Sequence, residues 1–236
     1  MGEDFYRSGE RRPIAVRNWA IFQNLARWLA RHGITPNSIS IAGMGCGIAA
    51  GGALAATSWS YSLEQRVAWM AAALLIQLRL LANMLDGMVA IEFGQASPMG
   101  ELFNEVPDRV SDVATLVGAG YALGGNVTLG FFAACVAVFT AYVRAMGKAA
   151  GAAQEFCGPM AKQQRMFTVT VISVYSGLAP ESWRLHWKSL LPFSGDQSES
   201  GWGLMALALA LIVIGGLVTA VRRLRRIAAT LRKIKP

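Results

Sequence analysis

The segment NMLDGMVAIEFGQASPMGELFNEVPDRVSD, residues 83–112, gathers carboxylates in a chain that is otherwise strongly apolar. Six of the fourteen acidic residues fall here: Asp86, Glu92, Glu101, Glu105, Asp108 and Asp112. The flanking sequence is nearly uncharged, since residues 33–63 and 113–143 contain no Asp, Glu, Lys or Arg. Carboxylates are costly inside apolar helices, so we expect this acidic segment to form a functional site.

The composition of the 236-residue chain is typical of an integral membrane protein. Hydrophobic residues make up 54% of it and charged residues only 15%, whereas soluble domains carry about 25% charged residues. A helix needs about 20 mostly apolar residues to cross a bilayer. The sequence predicts six spanning helices, at about 38–58, 67–91, 99–122, 126–147, 164–181 and 202–222. We therefore expect an all-α protein with one membrane domain, residues 34–222.

Both ends of the chain are predicted to lie at one membrane surface. Apolar and basic residues alternate with helical spacing over residues 13–32, which predicts an amphipathic helix in the interface plane. Residues 1–33 would then form a tail and this interfacial helix, and residues 223–236 a basic tail. The net charge is +8, and its concentration at the two ends favours anionic lipids rather than nucleic acid as partner.

The distribution of basic residues predicts the orientation in the membrane. Six spans place both termini on the same side, and basic residues cluster there and between the fourth and fifth spans. The positive-inside rule makes that side cytoplasmic. The loop at residues 92–98 falls on it too, so we expect the acidic site to face the cytoplasm, in a membrane of the bacterial inner-membrane type.

Helical spacing aligns the polar residues of the acidic segment on two faces. These faces comprise Asn83 and Asp86 on the second predicted span, and Asn104, Asp108 and Asp112 on the third. Residues three or four apart share a helix face, and the short loop 92–98 predicts that the two spans are antiparallel neighbours. Such oxygen ligands suit Mg²⁺ or Mn²⁺, which usually also bind substrate phosphates. The alternative is a structural role, in which one buried acid pairs with Arg79 or Arg109.

The acidic segment resembles the motif of membrane CDP-alcohol phosphotransferases, DxxDGxxARx(8)GxxxDxxxD. The spacing agrees throughout, and the identical positions are Asp86, Gly87, Ala90, Gly100 and Asp108. The sequence departs from the motif at Asn83 and Asn104, where the family has Asp, and at Ile91, where it has Arg. The basic interfacial helix and the six predicted spans extend the resemblance to most of the chain.

This resemblance implies a metal-dependent site. In the family, the four acids bind two divalent cations that hold the CDP diphosphate, and the last acid is the proposed base. It thus implies that Asp86 and Asp108 bind Mg²⁺ or Mn²⁺ and that Asp108 is the catalytic base, whereas Asn83 and Asn104 offer only carbonyl oxygens. The candidates to replace the missing charges are Glu105 and Asp112. The positions expected beside the donor are Gly87, Ala90 and Gly100.

The segment after the fourth predicted span, residues 142–165, looks like the family's SYxRA segment, where basic residues meet an acceptor phosphate. The corresponding candidates are Arg144, Lys148, Lys162 and Arg165. Basic side chains bind phosphate through charge-assisted hydrogen bonds. The same residues are equally suited to be cytoplasmic anchors under the positive-inside rule.

The reaction that the resemblance implies is transfer of a phosphatidyl group from CDP-diacylglycerol to a small alcohol, with release of CMP, in phospholipid biosynthesis. One alternative is a CDP-choline or CDP-ethanolamine type of reaction on diacylglycerol. The other is an inactive relative that binds lipid or a protein partner, which Asn83, Asn104 and Ile91 favour. The acceptor stays open, and a homodimer is expected because relatives in the family are commonly dimers.

Overall fold

The computed structural model describes residues 19–92, 98–183, 186–187 and 202–234, and this part of the chain is largely helical. Its helices are α1 (Ala20–Arg31), α2 (Pro36–Ala56), α3 (Ser62–Glu92), α4 (Pro98–Tyr121), α5 (Val127–Ala149), α6 (Lys162–Leu178) and α7 (Leu204–Ile234). A 3-10 turn, Glu181–Trp183, follows α6. The strand β1 (His186–Trp187) pairs in antiparallel fashion with β2 (Trp202–Gly203), which directly precedes α7.

Four helices are long and apolar enough to cross a membrane. They are Pro36–Ala56, Ser62–Ala90, Val127–Ala149 and Leu204–Lys233. The other two predicted spans correspond to α4, which carries acids of the acidic segment, and to α6, which has only 17 residues. The chain is thus an all-helical integral membrane protein, and the arrangement with six spans stays a prediction.

The last helix is longer than predicted. The predicted span ends at about residue 222, but α7 continues to Ile234. The reason is local, since residues 222–234 contain no Gly or Pro and are rich in Arg, a good helix former. Arg223 is buried and donates to the carbonyl oxygens of Thr140 at 2.8 Å and Cys157 at 3.1 Å. The first residues of the predicted tail are therefore packed against the helix bundle.

The helix α1 is amphipathic and packs against the end of α3. Its buried Ala26 and Ala30 form a small core with Leu85 and Val89 of α3. Its exposed apolar side chains include Ile21 and Trp28. This pattern suits a helix in the interface plane, and that location stays a prediction. The first residues of the predicted helix, 13–18, lie outside the described part of the chain.

Glycines allow α2 to pack closely against both α3 and α4. A Cβ on Gly43 would collide with Ala82 of α3, one on Gly47 with Ser111, and one on Gly51 with the backbone of α4. These glycines are four residues apart and so share one side of α2. Because α2 occupies this position, α3 and α4 have few backbone contacts with each other. The two helices are nevertheless neighbours, as predicted, because their side chains meet directly where Asn83 and Arg79 contact Asp108.

The apolar core fills the half of the bundle away from the acidic segment. Within α3, Trp69 and Ile76 belong to the core, whereas Asp86 lies towards the other end. Leu116 of α4 and Ile212 of α7 complete this cluster. The described polar side chains of the acidic segment are consequently gathered in the opposite half, on α3 and α4, and α6 adds Lys162 and Arg165 there.

Candidate active site

Asn83 joins the two halves of the acidic segment. Its Nδ2 donates to Oδ1 of Asn104 and to Oδ1 of Asp108, both at 2.9 Å. Asn104 and Asp108 are one turn apart on α4, and Asn83 reaches both from α3. The structure therefore brings into direct contact three of the four positions that are acidic in the family motif, although the backbones of the two helices lie far apart along most of their length.

Asp108 is surrounded by positively charged side chains. Arg79 of α3 forms an ion pair with Asp108 Oδ1, and Lys162 Nζ lies 2.6 Å from the same oxygen. Arg109 Nη2 lies 3.6 Å from Asp108 Oδ2. Arg79 is only 3% exposed, and its Nε also donates to Ser111 Oγ at 2.9 Å. The carboxylate of Asp108 is thus neutralised by cations of this chain.

Asp86 has a different environment, although it too is buried. Its Oδ2 accepts a hydrogen bond from Ser40 Oγ of α2 at 2.6 Å. Its Oδ1 accepts one from the backbone N–H of Gly87. Among the ion pairs of the described residues, none includes Asp86. Its negative charge is therefore available to a bound cation.

The two acids expected to replace the missing charges are both paired with arginines. Asp112 Oδ2 lies 2.9 Å from Arg165 Nη2, and both side chains are 2% exposed. Glu105 forms an ion pair with Arg144 and lies 3.5 Å from Arg109. Both acids are thus engaged by cations of the chain in this structure, and compensation for the missing charges by either of them stays a prediction.

The four basic residues expected to meet an acceptor phosphate lie in different environments. Lys162 is bound to Asp108, and Arg165 is buried against Asp112. In this structure the guanidinium of Arg165 holds α6 against α4, and its contact with an acceptor stays a prediction. Arg144 is partly exposed and also lies 5.5 Å from the ring centre of Phe156, while Lys148 is exposed. Arg144 and Lys148 remain as candidates for contacts with an acceptor.

Space for a ligand is found beside Asp86. A Cβ on Gly87 would have no atom of the described residues within 4 Å beyond its chain neighbours and its own stretch of helix backbone, so a ligand can approach the backbone here. Ala90 is on the same helix, one turn further along, and is partly exposed. Gly100 lies in the first turn of α4, and its surroundings fall outside the described residues.

The available oxygen ligands fit one divalent cation and do not fit two. No group of three or more Asp, Glu, His or Cys side chains suited to a metal occurs in the described ranges. Mg²⁺ is often held by one or two carboxylates together with waters and substrate phosphates. Asp86 provides such a carboxylate, whereas Asp108 is already neutralised by Arg79 and Lys162.

Sequence reasoning found some of these contacts and missed others. It named Arg79 as an alternative partner for a buried acid, and this pairing is present in the structure. It missed Ser40 on Asp86 and the position of Lys162. The contact of Ser40 with Asp86 could have been inferred from its position. Ser40 lies near the start of α2, which is at the same end of the bundle as the end of α3.

Comparison with known proteins identifies a family and several relatives of this chain. Residues 33–214 match the sequence profile of the CDP-alcohol phosphatidyltransferase family. The inner membrane protein YnbA of Escherichia coli (strain K12) is 24% identical over 175 residues, which are 72% of this chain and 83% of YnbA.

Solved structures of phosphatidylinositol phosphate synthase (PgsA1) from Mycobacterium tuberculosis have a similar fold. The structure with CDP-DAG bound gives a TM-score of 0.66 at 21% identity, with 89% of this chain and 94% of that chain covered. The complex with manganese and citrate gives 0.64 at 22% identity, with 87% and 88% covered. At such identities the likeness is one of fold.

Proposed function

Because the chain belongs to the CDP-alcohol phosphatidyltransferase family, we propose that it transfers a phosphatidyl group from CDP-diacylglycerol to a small alcohol and releases CMP. The observation that carries this proposal is the contact of Asn83 with both Asn104 and Asp108, which unites the two halves of the family motif. The fold is shared with a synthase whose structure contains CDP-DAG, and that likeness covers nearly the whole length of both chains.

The positive side chains around Asp108 suit the diphosphate of such a donor. Nη1 of Arg79 is buried and has no hydrogen-bond partner among the described residues. A buried donor atom of this kind is costly unless a ligand or water satisfies it. A phosphate oxygen would satisfy it with a charge-assisted hydrogen bond, and Lys162 would add a second positive charge nearby. The open space beside Gly87 would accommodate the rest of the diphosphate.

The reaction steps follow from the proposed positions. The acceptor hydroxyl attacks the phosphorus that carries the diacylglycerol, the bond from this phosphorus to the oxygen of CMP breaks, and the hydroxyl proton moves to Asp108. The receiving atom is Oδ2, because Oδ1 already accepts from Arg79 and Asn83 and contacts Lys162. A divalent cation, Mg²⁺ or Mn²⁺, bound at Asp86 would neutralise part of the diphosphate charge.

The membrane arrangement proposed here has six spans, with α4 and α6 inserted alongside the four longer apolar helices. The candidate site and both termini would face the cytoplasm, and α1 would lie in the interface of a bacterial-type inner membrane. Reporter fusions test this arrangement. A reporter after Pro236 should be cytoplasmic and one near Asp196 should not; a cytoplasmic reporter near Asp196 contradicts six spans.

An inactive relative that binds the donor without turnover is the second candidate. The neutralisation of Asp108 by Arg79 and Lys162 favours it, because a neutralised carboxylate is a weaker proton acceptor. It shares the fold and the donor site with the enzyme, and it lacks only the chemical step. The two candidates therefore differ in CMP release alone.

The deciding experiment measures CMP release by the purified protein. The assay contains CDP-diacylglycerol, Mg²⁺ or Mn²⁺ and one of several acceptors: glycerol 3-phosphate, an inositol phosphate, serine or another small alcohol. We expect release that depends on one acceptor and is lost in Asp108→Asn. Binding of the donor without release with any acceptor would identify the inactive relative. Activity with CDP-choline and diacylglycerol would instead identify the other type of phosphotransferase.

A further inference from the structure

Two cations of this chain, Arg79 and Lys162, contact Oδ1 of Asp108, the last acid of the family motif. We propose that Arg79 and Lys162 replace one of the two divalent cations, so that the protein binds a single divalent cation, at Asp86, and binds it together with the CDP donor. This inference rests on the proposed function for the identity of the donor. The number of bound metal ions is a separate quantity that needs no turnover.

The contacts of Asp108 carry the first step of the argument. Lys162 Nζ lies 2.6 Å from Oδ1, where Arg79 is also bound. A metal ligated by that oxygen at roughly 2.1 Å would lie within about 5 Å of the ammonium group. Like charges at such a distance repel strongly where water is excluded. Lys162 and Arg79 would have to leave before a metal could bind to Oδ1.

The orientation of Asn83 carries the second step. Its Nδ2 points towards Oδ1 of Asn104 and Oδ1 of Asp108, at 2.9 Å from each. An N–H group is a hydrogen-bond donor and cannot ligate a cation. Three motif positions, Asn83, Asn104 and Asp108, are therefore engaged with one another through hydrogen bonds, and the amide group of Asn83 would have to turn away before these two oxygens could ligate an ion.

The charge balance carries the third step. Four acids in the motif would balance two divalent cations. In this chain the two positive charges of Arg79 and Lys162, both in contact with Asp108, equal the summed negative charge of Asp86 and Asp108 before any metal binds. Asp86 itself is in no ion pair among the described residues, and Asp112 is paired with Arg165. Uncompensated charge in a buried site is strongly unfavourable. A divalent cation therefore needs the negative charge of the diphosphate as well, which makes its binding dependent on the donor.

Titration with Mn²⁺, followed by electron paramagnetic resonance, tests this on the purified full-length protein. With saturating CDP we expect one Mn²⁺ per chain, and without CDP an affinity lower by at least about tenfold. Asp86→Asn should lose this ion, and Asp108→Asn should keep it. Two ions per chain, an affinity indifferent to CDP, or loss of the ion in Asp108→Asn would overturn the proposal.

A second arm removes the two cations and needs no nucleotide. In the double variant Arg79→Met, Lys162→Met, a Mn²⁺ should bind at Asp108 without CDP, at least about tenfold more tightly than in the wild type. Arg66→Met is the matched control, since Arg66 is on the same helix but binds carbonyl groups at the end of α6. It should bind Mn²⁺ as the wild type does. Wild-type affinity in the double variant would overturn the proposal, and if that variant does not fold, the first arm decides alone.

The same measurements separate a failure of this inference from a failure of the proposed function. If CDP does not bind in equilibrium dialysis, the nucleotide donor is wrong, and the double variant still shows whether Arg79 and Lys162 exclude a metal. If CMP is released but two Mn²⁺ ions bind, the reaction is right and the replacement of a metal by these cations is wrong.

Discussion

Arg165→Ala should unfold the protein more easily and should leave the affinity for the acceptor unchanged. Arg165 and Asp112 are both 2% exposed and their charged atoms are 2.9 Å apart. Removal of one partner leaves a buried, unpaired carboxylate, which typically costs 3–5 kcal/mol. For a chain of this size each kcal/mol lowers the melting temperature by about 2–4 °C, so we expect a decrease of roughly 6–20 °C.

The assay is thermal unfolding in detergent, followed by tryptophan fluorescence, together with acceptor kinetics below the melting temperature. Replacement of the whole pair, in Asp112→Leu with Arg165→Met, should recover much of the loss, because no unpaired charge remains. Arg66→Ala is a control for the loss of an arginine and should cost only about 1 kcal/mol. A melting temperature within about 2 °C of the wild type, combined with a higher KM for the acceptor, would show that Arg165 binds substrate instead.

Three further predictions concern the site itself. Asp86→Ala should abolish CMP release, as should excess chelator, because Asp86 is the carboxylate left for a cation; full release in either case would exclude a metal there. If the acceptor carries a phosphate, Arg144→Ala should raise its KM about 10- to 150-fold, the effect of losing one charge-assisted contact, while the KM of the CDP donor should change less. Asn83→Asp with Asn104→Asp should tighten Mn²⁺ binding in the presence of CDP, since both changes add negative charge, and an unchanged affinity would contradict the charge balance argued above.

Much of the fold could be predicted from local sequence patterns. Long apolar runs predicted where α2, α3, α5 and α7 lie, because the hydrophobic requirement of a spanning helix is a local property. The packing of the helices was not predicted. It depends on Gly43, Gly47 and Gly51, whose spacing of four creates a flat side on α2 that admits α3 and α4. The spacing of these glycines is visible in the sequence. The two helices that pack against them, α3 and α4, are known only from the three-dimensional arrangement of the bundle.

In the site too, contacts between residues close in the sequence were predicted, whereas several contacts between residues far apart in the chain were not. The spacing of Asn104 and Asp108 predicted that they share a face, and the motif predicted that Asn83 would lie near them. The spacing could not predict which cations would reach the acids, since Lys162 lies on α6, far along the chain from Asp108. The pairing of Arg165 with Asp112 was not predicted for the same reason, because the two residues belong to different helices.

The charged residues of the apolar segments, counted together, predict which acids of the site are paired with arginines. An ionised side chain inside a membrane bundle normally has a partner of opposite charge. Asp108 and Asp112 require partners, and Arg79 and Arg165 lie in or beside apolar segments and so require them too. Pairing these four leaves Asp86 as the acid that lacks a cation among the described ion pairs. Each Asp of the family motif that is replaced by Asn removes one negative charge that a metal needs. The two asparagines and the two basic side chains beside Asp108 therefore act in the same direction. The asparagines remove negative charge that a second metal ion would need, and Arg79 and Lys162 supply the positive charge that the metal ion would have brought.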